Sequence, residues 1–339
     1  MHVTHDQPNQ AAATSRDVAS NTEPEGESTY EGSAEYICPP VITDLMGADQ
    51  ILNIFQSRGV PDLSTNLDLS TIAEHPAAGD GLNDVYRARL LDGSLVAVKS
   101  LRVSLCDRED HRTLKHIARE LHVWSGCKHG NILELIGTAC VHGLVASISP
   151  WMENGTVSNF ISNNPGAPRY ELCAQLAAAV SYLHRVGVVH SNIKGSNVLV
   201  STDLTIKLSS FGSFGSSGAP VPVSYQVELA LCSIRWAAPE FFMEDDARPT
   251  LFTDVYALGM TILEIISGSI PYREVRSHVR TMCKIMNGIP PKRPEAISKD
   301  DTRADVLWPL LLKCWSYDPS KRPAASDVLE MMNALLVVG

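Results

Sequence analysis

The chain has 339 residues, of which 44% are apolar and 19% are charged, and its net charge is −10. This length allows about two domain-sized cores, and the composition is that of a globular protein. The acidic balance argues against a nucleic-acid-binding surface, which would carry a basic excess. The eight cysteines show no C-x-x-C spacing, so we predict reduced and mostly buried thiols and neither a zinc site nor a disulfide framework.

The sequence offers no targeting or membrane signal. Its first residues lack a basic and apolar signal segment, and no apolar run approaches the roughly 20 residues that span a bilayer. The best candidate, residues 172–183, is interrupted by Gln175, Ser181 and Tyr182. We therefore expect a cytoplasmic protein that associates with neither membrane nor nucleic acid.

Residues 1–40 form an acidic tail with almost no large apolar side chain. Seven acidic residues stand there against one basic residue, Arg16. Such a segment cannot bury enough apolar surface to offset the entropy of ordering it, so we predict disorder. Its charge either serves only to solvate the tail or marks an interaction or phosphorylation segment.

Residues 41–66 are predicted to form a short helical extension that packs on the main domain. Thr43 and Asp44 suit a helix start, and Gly59 suits its end. Between them one apolar stripe is formed by Leu45, Ala48, Leu52 and Phe55.

Strand signals dominate residues 67–152. Two β-rich runs, 84–90 and 95–99, flank Asp92 and Gly93, and an Asp-Gly pair between such runs favours a hairpin. One helix and two further strand-like runs follow, at residues 107–125, 133–140 and 144–149. We predict a small unit of five strands and one helix.

Helical patterns dominate residues 153–339. Amphipathic or buried helices are predicted at residues 171–185, 253–267, 275–287, 304–317 and 325–336.

Seven short motifs occur in a fixed order through these two regions. They are VAVK at 96–99, HGNIL at 129–133, HSNIKGSN at 190–197, SFG at 210–212, APE at 238–240, DVYALG at 254–259 and CWSYDPSKRP at 314–323. In this order and spacing they resemble the protein kinase domain, and most closely its tyrosine-kinase-like Ser/Thr group. The resemblance implies an α+β, bilobal protein kinase fold, with an N lobe at 67–152 and a helical C lobe at 153–339.

The resemblance implies a nucleotide cleft between the lobes. Lys99 would neutralise ATP phosphates and be held by Glu120, nine residues before His129. The pair could equally survive as a structural clamp on its helix. Ser149 falls at the gatekeeper position, and the adenine would lie between Val85, Ala97 and Leu199.

The glycine-rich loop of the family is degraded. Its three glycines fall at Ala78, Asp80 and Asn83, while Gly79 and Gly81 are out of phase. The Asp80 carboxylate would repel a bound phosphate, and at a separation of about 5 Å this repulsion costs roughly 3 kcal/mol at an effective dielectric of ~20. A shifted register that uses Gly79 and Gly81 is the alternative.

Both catalytic carboxylates of the family are missing. Asn192 stands at the position of the Asp that accepts the substrate proton, a role that typically contributes roughly 10²–10⁴-fold to rate. Ser210 stands at the metal-binding Asp, and a hydroxyl is a poor ligand for Mg²⁺. Lys194 and the metal-binding Asn197 remain. We therefore expect weak ATP binding at best and poor Mg²⁺ coordination.

The residues that support the family's architecture are kept. An apolar column would join the lobes, formed by His190, Phe211, Trp124 and Leu135. Asp254 would anchor the backbone of the catalytic loop, residues 190–197. Glu240 and Arg322 would form a buried ion pair under the activation segment.

Two functions follow from this pattern. The first is a catalytically impaired pseudokinase that acts as a signalling scaffold or allosteric partner of an active kinase or scaffold protein. The alternative is a weak or unconventional Ser/Thr kinase that uses Lys99 and Asn197 without a protein base. Because Ser191 replaces the phosphate-reading Arg, phosphorylation at residues 213–225 is not expected to order the activation segment.

Overall fold

The computed structural model describes residues 46, 48–79, 83–101, 120–211, 233–244, 247–297 and 302–338. The predictions on the acidic tail, on loop positions 80–82 and on residues 213–225 lie outside these ranges. Most of the helix predicted at 107–125 does so too.

Helix α1 spans Ala48–Ser57. Its apolar face is buried, with Phe55 only 1% exposed. The helix ends at Gly59, which has φ +81°, and the Val60 N–H donates to the Phe55 carbonyl at 3.0 Å. A left-handed residue in this place is a favoured helix end, and glycine adopts it without strain. The helical extension predicted at 41–66 therefore contains a helix that packs through its apolar stripe.

The N-lobe sheet has six antiparallel strands in the order β1-β3-β4-β6-β5, with β2 paired to β3. The strands are β1 (Leu67–Asp68), β2 (Ala78–Gly79), β3 (Asn83–Leu90), β4 (Leu95–Leu101), β5 (Gly137–Val141) and β6 (Leu144–Pro150). The sheet has one strand more than the five predicted. Strands as short as β1 and β2, with two residues each, leave little pattern in the sequence. The β3–β4 hairpin turns at Gly93, which has φ +88°.

The strand predicted at 133–140 was too long at its start. Residues 133–135 lie between the lobes, whereas the Ile136 N–H already donates to the Ile148 carbonyl of β6 at 2.9 Å. The Leu133 N–H donates to the Leu208 carbonyl of the C lobe at 2.9 Å, and the Leu133 carbonyl accepts from the Trp124 indole. Burial of Leu133 and Leu135 explains the apolar pattern without a strand.

The rest of the described chain is mainly helical, which confirms the predicted α+β class with a sheet-rich N lobe and a helical C lobe. Residues 120–126 are helical and belong to α2. The later helices are α3 (Val157–Asn163), α4 (Arg169–Arg185), α5 (Glu240–Met243), α6 (Leu251–Ser267), α7 (His278–Met286), α8 (Thr302–Cys314) and α9 (Ala325–Val337). A two-stranded sheet joins β7 (Val198–Val200) and β8 (Ile206–Leu208). In the described ranges no helix is both long and apolar enough to cross a bilayer.

Helix α6 forms the centre of the C lobe. Every residue from Thr253 to Ile266 is buried. Thr250 caps its first turn reciprocally with Thr253, and Gly268 ends it at φ +67°. The helix thus starts two residues before the predicted position because the capping threonine, and not the apolar pattern, sets its first turn.

Polar caps also correct the two helices predicted at 275–287 and 304–317. The Ser277 hydroxyl accepts from the Arg280 N–H, so α7 begins only at His278. Asp318 caps a separate 3₁₀ turn, Pro319–Lys321, so α8 ends at Cys314.

Arg322 and Glu240 form the ion pair that joins the end of the activation segment to the C-lobe helices. The Arg322 Nη1 and Nη2 atoms donate to the two Glu240 carboxylate oxygens at 2.7 and 2.8 Å. Its Nε donates to the Ser316 carbonyl, and its guanidinium lies 5.2 Å from the Tyr256 ring centroid. The Arg322 side chain is 0% exposed, so loss of its partner would leave a buried charge.

Glu240→Gln should therefore lower the free energy of unfolding by about 3–5 kcal/mol. Urea denaturation measures this loss. The matched control is Lys321→Ala, because the Lys321 ion pair with Asp318 is 75% exposed on the lysine side. The control should change stability by less than about 0.5 kcal/mol. Equal losses in the two variants would contradict the assignment.

Candidate active site

Lys99 and Glu120 meet between β4 and α2. The Lys99 Nζ atom lies 3.0 Å from Glu120 Oε1, and the two side chains are 19% and 14% exposed. Lys99 is opposite Val85 on β3 and opposite Ser147 on β6. The pair therefore links the middle of the sheet to α2.

The residues assigned to adenine share the Lys99 face of the sheet. Val85 is opposite Lys99, and Ala97 lies two residues before Lys99 on the same strand. Ser149 is opposite Ala97 on β6 and is buried. Since directly opposite residues and residues two apart point to the same side, these side chains line one face. Leu199 lies on β7 of the C lobe and is half-buried.

Asp254 holds the backbone of the catalytic loop through hydrogen bonds. One of its carboxylate oxygens accepts from the His190 N–H at 2.7 Å, and the other accepts from the Ser191 N–H at 2.8 Å. The His184 Nε2 atom lies 3.1 Å from the same carboxylate. Asp254 is 1% exposed, so these contacts replace the water that a buried carboxylate would otherwise need.

The two positions without a carboxylate lie side by side. The Asn192 amide donates to the Ser210 carbonyl at 3.5 Å. The Asn197 amide in turn donates to the Asn192 carbonyl at 2.7 Å. The structure thus brings Asn192, Asn197 and Ser210 together as one neutral cluster.

Two serines beside this cluster have left-handed backbones. Ser191 has φ +61° and Ser210 has φ +58°. A residue other than glycine in this region costs about 1–2 kcal/mol. The buried Ser191 hydroxyl has no hydrogen-bond partner among the described residues. The conformation of Ser191 is therefore imposed by Asp254 and not by its own side chain.

Lys194 and Gly195 connect the loop to two other segments. The Lys194 Nζ atom donates to the Ser233 hydroxyl at 3.1 Å. The Gly195 N–H donates to Glu264 Oε2 on α6 at 3.0 Å. A Cβ atom at Gly195 would collide with the Glu264 carboxylate and the Ser158 hydroxyl. Only glycine therefore fits between the loop and α6.

Glu264 is the site-supporting residue that the sequence analysis missed. Its carboxylate also accepts from the Ser158 hydroxyl at 2.7 Å and from the Trp236 indole at 3.0 Å. Burial raises the pKa of Glu264, and these donors partly oppose the rise. A lone acidic residue in the apolar run TILEIIS was the available signal, because a buried acid must have partners.

The structure brings together the aromatic side chains of the predicted apolar column. The Phe211 ring centroid lies 5.0 Å from that of His190 and 6.4 Å from that of Trp124. Leu135 is 7% exposed and belongs to the same buried core. The column connects α2, the catalytic loop and the segment after β8.

The cluster does not fit a divalent cation. Mg²⁺ prefers carboxylate oxygens in near-octahedral arrangement. The side chains that the cluster offers as cation ligands are those of Asn192, Asn197 and Ser210, and all three are neutral. Across the described ranges no group of three or more His, Cys, Asp or Glu side chains could hold a metal ion. Glu120 is engaged by Lys99, and Asp254 is engaged by the loop backbone.

His190 is held neutral by its surroundings. Burial lowers its pKa to about 4, and the neighbouring Asp254 only partly opposes this. The Asn192 N–H donates to its Nδ1 atom at 3.3 Å, a contact that needs an unprotonated nitrogen.

The unfolding free energy should therefore fall as the pH is lowered from 6.5 to about 4. Below pH 6.5 the unfolded chain takes up a proton at His190 that the folded chain does not, so the slope contributed by this residue reaches about 1.4 kcal/mol per pH unit. Urea denaturation of wild type and His190→Phe across this range measures it.

The difference between the two curves isolates His190, because the pKa values of His122 and His129 are also lowered by burial and act with the same sign. A wild-type curve parallel to that of His190→Phe would contradict the assignment.

Comparison with known proteins agrees with this geometry. The family model for protein tyrosine and serine/threonine kinases matches residues 79–332. A probable serine/threonine-protein kinase of Dictyostelium discoideum is 26% identical over 266 residues, which are 76% of this chain and 27% of that protein. Mitogen-activated protein kinase kinase kinase 5 of Arabidopsis thaliana is 28% identical over 70% of this chain and 33% of its own length. The human mitogen-activated protein kinase kinase kinase 4 is 27% identical over 73% of this chain and 15% of its own.

The chain thus spans a third or less of the length of these relatives. Members of the family use ATP with Mg²⁺. The relatives are named as a probable serine/threonine-protein kinase and as mitogen-activated protein kinase kinase kinases. The match covers most of the chain, and the ordered motifs lie in the cleft and beneath it. The chain belongs to the protein tyrosine and serine/threonine kinase family.

Proposed function

We propose that this chain is a pseudokinase: a kinase domain with impaired phosphotransfer that acts by binding a protein partner, either an active kinase or a scaffold. The observation that carries the proposal is the neutral cluster of Asn192, Asn197 and Ser210 inside an otherwise assembled cleft. Both missing carboxylates belong to this one cluster.

The loss of the proton acceptor is the first support. Asn192 occupies the position from which a carboxylate would accept the proton of the substrate hydroxyl. Its amide has no useful basicity, and the amide nitrogen donates to the Ser210 carbonyl at 3.5 Å. General-base catalysis contributes roughly 10²–10⁴-fold, so this change alone would reduce turnover without necessarily abolishing it.

The loss of the cation ligand is the second support. Charge neutralisation at the β- and γ-phosphates is the main work of a kinase cleft. Because Glu120 is paired with Lys99, a cation at the cluster would find only neutral ligands. In the sequence, Asp80 stands at one of the three glycine positions of the family's phosphate loop, with a register shifted to Gly79 and Gly81 as the alternative. The missing proton acceptor affects the substrate hydroxyl, and the missing cation ligand affects the phosphates. Their effects on turnover therefore combine.

The preserved architecture is the third support. The Lys99–Glu120 pair, the aromatic contacts of Phe211 and the Asp254 anchor are all formed. A domain that keeps these contacts presents a defined surface to a partner. Binding needs that surface and does not need turnover.

A weak Ser/Thr kinase is the second candidate, and three contacts favour it. Lys99 is positioned by Glu120, Asn197 keeps its amide oxygen because its nitrogen donates to the loop, and Lys194 contacts Ser233. A loose transition state needs little early proton abstraction. In this case Lys99 binds phosphate, and substrate phosphorylation continues slowly without a protein base.

Nucleotide binding with and without Mg²⁺ separates the two candidates. For a pseudokinase, millimolar ATP should raise the melting temperature of the wild type by the same small amount, or not at all, whether or not Mg²⁺ is present. Ser210→Asp should create a Mg²⁺-dependent increment, because it returns a carboxylate to the cluster. The matched control, Ser162→Asp on α3, adds the same charge at an exposed serine and should create none.

A radiolabelled phosphotransfer assay gives the decisive outcome. Wild type should show no turnover above that of Lys99→Met, and the double variant Asn192→Asp with Ser210→Asp should exceed both. Wild-type turnover that Lys99→Met abolishes would overturn the pseudokinase proposal in favour of the weak kinase.

A further inference from the structure

The helical extension lies outside the matched kinase region, which begins at residue 79, yet it is built into the N lobe. Ile51, Leu52 and Phe55 on α1 are 1%, 3% and 1% exposed. They belong to the same buried core as Leu121 and Trp124 on α2. Helix α1 also contacts β5 and β6. The extension therefore packs where α2 meets the sheet.

A polar contact joins the end of α1 to α2 directly. The Arg58 Nη1 atom lies 2.8 Å from the His122 Nδ1 atom, across 64 residues of sequence. His122 is two residues after Glu120 on the same helix. The Arg58 guanidinium can only donate, so the His122 Nδ1 atom accepts in this contact. Burial and the Arg58 charge both lower the pKa of His122.

The segment after α1 is itself fixed to the sheet edge. The Thr138 N–H of β5 donates to the Pro61 carbonyl at 2.9 Å, and the Leu63 N–H donates to the Thr138 carbonyl at 2.7 Å. The Cys140 N–H donates to the Ser64 hydroxyl at 2.8 Å. A Cβ atom at Gly137 would lie 2.6 Å from the Pro61 carbonyl oxygen, so this approach needs glycine. The extension thus has a rigid base on β5.

We propose that residues 48–66 position Glu120 for its contact with Lys99. The base on β5 fixes where α1 lies, the apolar face of α1 shares a buried core with Leu121 and Trp124, and Arg58 binds His122. Glu120 lies directly beside these three held residues, so its carboxylate is presented to β4 at a set distance. The Lys99–Glu120 pair then depends on a segment that the kinase family model does not include. This dependence applies equally to a pseudokinase and to a weak kinase.

A double-mutant cycle within each background tests the dependence. Lys99→Met, Glu120→Gln and the combination are measured by urea denaturation in wild type, Arg58→Ala and Phe55→Leu. In wild type the two changes should be non-additive by about fivefold in the unfolding equilibrium constant. In Arg58→Ala and Phe55→Leu this coupling should fall to within about twofold of additivity.

The cycle distinguishes positioning from simple stabilisation. A merely structural extension would lower the stability of all four proteins of a cycle and leave their coupling unchanged. Arg58→Lys should restore part of the coupling, and Asn53→Ala, at an exposed position of α1, should leave it at the wild-type value. If Phe55→Leu does not fold, Arg58→Ala still decides, because its contact is exposed.

A second readout follows the helix itself. Amide hydrogen exchange at residues 120–126 should become faster in Arg58→Ala and Phe55→Leu than in Asn53→Ala. The His122 ring, followed by NMR, should titrate at higher pH in Arg58→Ala, because a positive neighbour is removed. Coupling between Lys99 and Glu120 that is unchanged in both backgrounds would overturn the proposal, whatever the change in overall stability.

Discussion

The hydrogen bonds from the catalytic loop to the buried Asp254 carboxylate are the constraint on which the candidate site depends. They fix the backbone at His190 and Ser191 and hold Ser191 in a left-handed conformation that its own side chain does not favour. With the loop fixed, the His190 ring packs against Phe211 at an interplanar angle of 41°, and Asn197 can reach the Asn192 carbonyl. None of these contacts uses the side chain of residue 192 or 210, so none of them requires a carboxylate there.

This independence separates the fold of the cleft from its chemistry. In the described part of the cleft, Lys99 pairs with Glu120, Asp254 binds His184 and the loop backbone, and Lys194 contacts the Ser233 hydroxyl. The cluster between them is neutral. A kinase fold can therefore keep its supporting contacts while the groups that would bind a cation and accept a proton are absent, which is the basis of the proposed function.

The sequence predicted most of what depends on local pattern and motif order, and less of what depends on distant contacts. Helix α6 and the β3–β4 hairpin follow from apolar spacing and turn residues, and the motif order predicted the meeting of Glu240 with Arg322. The 133–140 region looked like a strand because Leu133 and Leu135 are buried, although they are buried between lobes. The contacts of Glu264 with Gly195 and of Arg58 with His122 join residues 69 and 64 positions apart. No spacing rule marks such pairs in a single sequence.

The left-handed backbone at Ser210 affects which side chains this position accepts without strain. Aspartate and asparagine tolerate this backbone region better than serine, because their short polar side chains bond locally. The architecture at residue 210 would thus accept an acidic side chain with less strain than the side chain it now holds. The backbone conformation at residue 210 therefore does not explain why serine stands there.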